Sequence, residues 1–198
     1  MQRYRARPYQ RRQPGFASAA VTELLAICDT AGGPLILDSG CGTGGSTFAL
    51  KRRFPDAVII GVDKSLTRLS KARAQSAQTG NVHFLRLDLQ DCWSALVRHR
   101  RTIARHYLLY PNPWPKQKHL TRRWHAHPCM TDLLEVSDYL EVRTNWSIYA
   151  EEFALAARQL TDKTVLVEPF EPSKPITAFE QKYADANQQL YRVVIEPD

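Results

Sequence analysis

The feature that most constrains this chain is the stretch Leu35-Ile36-Leu37-Asp38-Ser39-Gly40-Cys41-Gly42-Thr43-Gly44-Gly45-Ser46. An apolar run too short for a helix ends in an acid, four glycines follow within six residues, and a segment with helical spacing comes after. That order reads as strand, tight turn and helix. Glycine takes positive φ at little steric cost and lets a ligand come close to main-chain N–H groups at a helix N-terminus.

The turn alone does not name its ligand, because Gly40, Gly42 and Gly45 also fit the Gly-x-Gly-x-x-Gly dinucleotide spacing. Asp38 is more telling. A carboxylate two residues before the first glycine is poorly placed for a pyrophosphate and well placed for a ligand with an ammonium group. S-adenosylmethionine, carrying an ammonium and a sulfonium, is therefore the expected ligand; a nicotinamide site and a purely structural turn are the competing readings.

The same pattern repeats downstream. Val58-Ile59-Ile60-Gly61-Val62 reads as a second buried strand ending in Asp63, and Val82 to Leu87 as a third ending in Asp88. An acid at the position of Asp63 accepts ribose hydroxyls in nucleotide folds, with helix capping as its alternative, and Asp88 is suitably placed beside an adenine amino group. Three acids at one edge of a parallel sheet predict a ligand crevice. Strands are also predicted at Ala104 to Tyr110, Tyr139 to Arg143, Thr164 to Val167 and Leu190 to Ile195, with a proline-rich connection from Pro169 to Pro175. Helices fall between the strands, beginning with one from Ser18; the clearest carries Tyr149, Phe153, Ala156, Ala157 and Leu160 at a 3.6-residue period. The alternation predicts an α/β fold, a doubly wound and mostly parallel sheet of seven strands. One domain is expected over 16–198, preceded by a mobile basic arm over 1–15.

The formal charge of +7 is informative by location. Arg3, Arg5, Arg7, Arg11 and Arg12 lie in residues 1–15, and Lys116, Lys118, Arg122 and Arg123 in residues 111–128, with no acid in either segment. These nine outnumber the net charge, so the rest of the chain is slightly acidic. Two acid-free basic segments with Tyr4, Tyr9, Trp114 and Trp124 interleaved predict a polyanionic partner whose bases can stack on the rings; a solvated tail is the alternative for the first. Trp114 and Trp124 either stack on such bases or anchor their loop. His119, His125 and His127 share that loop with no acid or cysteine beside it, so no metal is expected, and His119 is assigned to phosphate or base contact. Cys28, Cys41, Cys92 and Cys129 are scattered and read as reduced thiols. With no run of membrane-spanning length and no apolar signal region, a soluble cytoplasmic protein is expected, with no membrane partner and as a monomer.

From about Leu35 onward the chain resembles the bacterial tRNA (guanine-N7-)-methyltransferase family. The residues that carry the resemblance are Asp38 to Gly44, the loop Pro111 to Arg123, Thr144-Asn145-Trp146 with Tyr149, and Lys174-Pro175-Ile176-Thr177-Ala178-Phe179-Glu180-Gln181-Lys182. It implies a class I, Rossmann-like methyltransferase fold and S-adenosylmethionine held by Asp38, Gly40, Gly42, Gly44, Asp63 and Asp88. It implies tRNA or another structured RNA as partner, base-pocket roles for Asn112, Thr177 and Glu180, and RNA contacts from Lys116, Lys118, His119, Arg122, Arg123 and Lys182. The family's Pro-Asp-Pro-Trp is here Pro111-Asn112-Pro113-Trp114, its Thr-Asp is Thr144-Asn145, and its Phe-Glu-x-Arg-Gly is Phe179-Glu180-Gln181-Lys182-Tyr183. Every departure falls at the expected base pocket and none at the cofactor turn. The acceptor therefore stays open between guanine N7 and another RNA atom, such as an exocyclic amine donating to the Asn112 carbonyl. A non-catalytic RNA-binding relative is the third reading.

Overall fold

The computed structural model describes residues 15–76 and 80–198, so the basic arm expected over 1–15 lies outside the described residues except for Gly15. The elements run α1 (Gly15–Thr30), β1 (Leu35–Ser39), α2 (Gly45–Arg53), β2 (Val58–Asp63), α3 (Leu66–Ser76), β3 (Val82–Arg86), α4 (Leu89–Arg98) and β4 (Ile103–Leu109). Then come α5 (Met130–Glu135), β5 (Ser137–Thr144), α6 (Ser147–Arg158), β6 (Thr164–Phe170), α7 (Ala178–Asp185) and β7 (Leu190–Glu196).

The seven strands form one sheet in the order β3-β2-β1-β4-β5-β7-β6. β1 to β5 are parallel, and β7 runs antiparallel to both β5 and β6. The winding reverses between β1 and β4, and the crevice outside the carboxyl ends at such a point is where open α/β sheets take ligands. The glycine turn leaves β1 at that crevice.

Every residue of β2 is buried, as a parallel strand covered on both faces requires. Side chains alternate between two cores. Leu37, Ile60 and Leu85 join the larger one, shared with α1, α4, α5 and α6 and built around Trp93, Tyr149 and Phe153. Ile36, Ile59, Phe84 and Tyr107 join the smaller one, with Leu50 of α2 and Leu69 and Ala72 of α3.

Three expectations change. The first helix begins at Gly15, three residues before Ser18. Residues 111–128 contain two short 3-10 turns, Gln117–Arg122 and Trp124–Ala126, because Trp124 packs edge-on against core Trp93 with ring centres 4.9 Å apart. β6 runs on through Pro169 to Phe170. It lies at the edge of the sheet and pairs only with β7, so a proline without an N–H costs it no ladder bond on the open side.

Phe153 is fully buried in the larger core. Replacing Phe153 with Ala is expected to cost about 3–5 kcal/mol, read as a lower urea midpoint with unchanged slope.

Candidate active site

The glycine turn is fixed by hydrogen bonds from β2. Gly40 and Cys41 donate their main-chain N–H groups to the Val62 carbonyl at 2.8 and 3.1 Å, and Gly44 donates to the Cys41 carbonyl at 3.0 Å. Gly42 donates to Oδ2 of Asp63 at 3.1 Å. Gly40, Gly42 and Gly44 sit at φ of 81°, 58° and 86°, where a side chain is strained. Gly44 is constrained twice, since a β-carbon there would lie 2.8 Å from the Phe84 ring and 2.9 Å from Ala72. At Gly40 and Gly42 the same atom would meet nothing within 4 Å. The expectation that the glycines present their N–H groups to a ligand is thus corrected: these amides are taken by the fold, and the turn offers bare backbone, open space and nearby carboxylates. A pyrophosphate, which needs free N–H groups, is poorly served by such a turn.

Asp38 and Asp63 are buried beside it. Ser46 and Thr47, in the first turn of α2, both donate hydroxyl protons to Oδ2 of Asp38 at 2.6 Å. Burial pushes the Asp38 carboxyl up from 3.8 to about 6, against those two hydrogen bonds and with a smaller upward push from Asp63. Asp63 accepts the Ser65 N–H at 2.8 Å and pairs with Arg68 at 3.2 Å, in addition to holding Gly42. Asp88 caps α4, accepting the Gln90 N–H at 3.2 Å. Below the turn Ser39 Oγ stands 2.7 Å from His106 Nε2 and accepts from Trp93 Nε1 at 3.1 Å. Burial pushes the His106 imidazole down to about 3 and keeps it neutral.

The loop after β4 departs from the same edge. Asn112 is exposed, and its Oδ1 accepts the Trp114 N–H at 3.2 Å. The Trp114 ring carries the Arg122 guanidinium 4.8 Å from its centre and meets His119 edge-on at 5.3 Å. Arg123, expected on RNA, is instead buried: its Nε donates to the Trp114 carbonyl at 3.3 Å, and its other arm donates to Glu152 of α6, which also meets His125 Nε2 at 3.1 Å. Arg123 is a strut that ties the loop to α6. Lys116, Lys118, Arg122 and Lys182 are exposed. The three histidines go to separate partners, His119 to Trp114, His125 to Glu152 and His127 to Trp124.

Glu180 is fully buried, which corrects its expected place against a base. Its Oε1 accepts from Tyr110 Oη at 2.9 Å and from Arg143 at 2.7 Å, and its Oε2 from the Ile176 N–H at 2.7 Å. Arg143 also donates to Glu141 at 2.6 Å, and Glu141 accepts the Tyr139 hydroxyl at 2.6 Å. Burial works against the Arg143 charge, but the two carboxylates outweigh it and hold the guanidinium protonated. The main-chain N–H of Glu180 donates at 2.9 Å to the hydroxyl of Thr177, the half-buried N-cap of α7. Tyr183 lies between Tyr110 and Phe179, with ring centres 5.7 and 6.4 Å away.

Sequence reasoning missed Ser46, Thr47, Tyr110, Glu141 and Arg143. Two signals were available. Thr177-x-x-Glu180 has capping-box spacing, and Glu141-x-Arg143 places opposite charges on one face of a strand covered on both sides, where an unpaired charge is too costly.

A doubly wound sheet with this turn at its switch point defines the class I methyltransferase fold. The chain is similar in structure to the 16S rRNA methyltransferase KamB, with a TM-score of 0.63 at 15% identity over 94% of this chain and 97% of that one. An antibiotic-related methyltransferase gives a TM-score of 0.60 at 16% identity, over 94% and 96%. At such identities the likeness is one of fold. Residues 32–193 match a family of putative methyltransferases, and the chain belongs to that family. It is 28% identical to a tRNA (guanine-N(7)-)-methyltransferase of Treponema pallidum over 156 residues, covering 75% of this chain and 61% of that protein. A protein of the same name from Chlorobium phaeobacteroides is 27% identical over 179 residues, covering 83% and 82%.

The raised carboxyl of Asp38 has a measurable consequence. In the unfolded chain it titrates near 3.8 and in the fold near 6, so its contribution to stability is fully present below 3.8 and lost as pH rises through about 6. Asp38→Asn, which keeps a carbonyl for the two hydroxyls, is expected to raise the melting temperature at pH 8, to keep part of that advantage at pH 5 and to lose it as pH falls below about 3.8.

Proposed function

We propose that the chain is an S-adenosylmethionine-dependent methyltransferase that acts on tRNA and transfers the methyl group to N7 of a guanine. One observation carries the reading: the glycine turn with its acids and the basic, aromatic loop after β4 leave adjacent strands at the same sheet edge, so a small cationic ligand and an RNA base can meet between them. The names of the relatives support the same substrate.

The residues fit the cofactor. Asp38 uses only Oδ2 for Ser46 and Thr47, which leaves Oδ1 for an ammonium. Asp63 keeps acceptor capacity for a ribose hydroxyl, since a carboxylate has about four acceptor sites and three are taken by Gly42, Ser65 and Arg68. The open faces of Gly40 and Gly42 admit the ligand. When bound, S-adenosylmethionine supplies a methyl carbon made electrophilic by sulfonium.

What remains for the protein is alignment, an effect worth roughly 7–11 kcal/mol when geometry is near-ideal. Guanine N7 carries a lone pair and no proton, so no general base is needed. Oδ1 of Asn112 already accepts the Trp114 N–H, and its Nδ2 is a donor for which guanine O6, beside N7, is an acceptor. The Asn112 donor favours N7 over an exocyclic amine. Thr177 keeps its hydroxyl proton for the same base edge. Positive charge grows on the purine as the bond forms, and a carboxylate would stabilise it more than an amide does. Lys116, Lys118 and Arg122 engage phosphates.

Incubation with radiolabelled S-adenosylmethionine and unmodified tRNA transcripts, followed by nucleoside analysis, is expected to put label in 7-methylguanosine. Label in another nucleoside would move the acceptor. No label and no cofactor binding by calorimetry would leave the non-catalytic reading. Asn112→Asp is expected to raise kcat, by about tenfold for ~1.4 kcal/mol of added transition-state stabilisation. RNA affinity should fall steeply with salt, and each of Lys116→Ala and Lys118→Ala should lower the log–log slope by about one.

A further inference from the structure

We infer that the cavity between the ends of β5 and β7 is a second base site, which takes one unpaired nucleobase flanking the nucleotide to be methylated. The inference rests on the RNA reading above and assigns that RNA a further contact. The cavity, of about 390 Å³, is lined by residues 145–148, from Asn145 and Trp146 to Ile148, together with Gln188, Gln189 and Tyr191.

Topology puts it on the working edge of the sheet. β7 runs antiparallel to β5 with Tyr191 opposite Thr144, so the start of β7 adjoins the end of β5. The Tyr110 N–H donates to the Arg143 carbonyl at 2.8 Å, which brings the Asn112 turn to the same edge. From β1 across β4 and β5 to β7 are three strand spacings, roughly 14 Å in all. The cavity is thus separate from the glycine turn, with the Asn112 loop between them.

Its lining chemistry suits a base and not a phosphate. None of the lining side chains is charged. Trp146 and Tyr191 offer ring surface, which any base can stack on, and Trp146 is 37% exposed. Asn145, Gln188 and Gln189 offer both donors and acceptors, as the edges of an unpaired base require. Asn145 Nδ2 contacts Gln188 Oε1 at 3.4 Å, a long hydrogen bond that a base edge replaces at little loss. Extruding a target nucleotide also strips its neighbour of a stacking partner, and a ring face on the same sheet edge restores one.

The test is RNA binding by the full chain with tRNA transcripts, intact or carrying one abasic nucleotide at successive positions. Trp146→Ala is expected to weaken intact tRNA about tenfold, and Gln189→Ala severalfold, with cofactor affinity and melting temperature unchanged. For the wild-type chain one abasic position outside the helical stems should give a similar loss. Trp146→Ala combined with that RNA should be no weaker than either change alone, the signature of a shared contact. Wild-type affinity in both variants, or losses that multiply at every abasic position, would overturn the site. A wild-type chain that binds no tRNA fails the underlying reading instead; a chain that methylates tRNA regardless of both variants fails only this site.

Discussion

Two carboxylates on neighbouring strand ends hold the turn on which the site depends. Asp63 of β2 grips the Gly42 amide, and Asp38 of β1 grips the Ser46 and Thr47 hydroxyls at the start of α2. β1, β2 and α2 are therefore locked at one point, around a turn whose glycines take left-handed conformations at little steric cost. The cost is visible in Asp38, whose charge is carried in a buried place with no cation among its hydrogen-bond partners. On the proposed function, that cost leaves an acceptor already aimed when the cofactor arrives.

The network behind the Asn112 loop is built on the opposite principle. Arg143 sits between Glu141 and Glu180, with Tyr139 and Tyr110 closing the ends. One guanidinium serves two carboxylates, each of which also accepts a tyrosine hydroxyl, and the network joins the end of β4 to β5 and α7. Buried pairs of this kind add little net stability, but they fix geometry: Tyr110, from which the Asn112 loop departs, and the Thr177 cap are both tied to one carboxylate. Tyr183, where the resemblance led one to expect glycine, fills the space over Tyr110.

What could be read from the sequence was local. The apolar runs, the glycine cluster and the acids at strand ends follow from periods of two residues and from single-residue conformational preference, and they gave the sheet and its ligand edge. What could not be read depends on contacts between distant residues. Asp63 meets Gly42 from 21 residues away and Glu180 meets Arg143 from 37. Arg122 and Arg123 are indistinguishable as letters in a basic run, yet one lies exposed over the half-buried Trp114 ring and the other is buried against α6. Pro169 read as a loop because its strand pairs on one side only, a fact that belongs to the sheet and not to the segment.

That edge bears on how such molecules meet one another. An open sheet invites a strand from another chain to add to it. At β6 the proline withholds a donor, and at the far side the Arg73 guanidinium of α3 occupies the Phe84 carbonyl of β3 at 2.8 Å. Both rims of the sheet are blunted, so copies of the chain can lie side by side without their sheets joining.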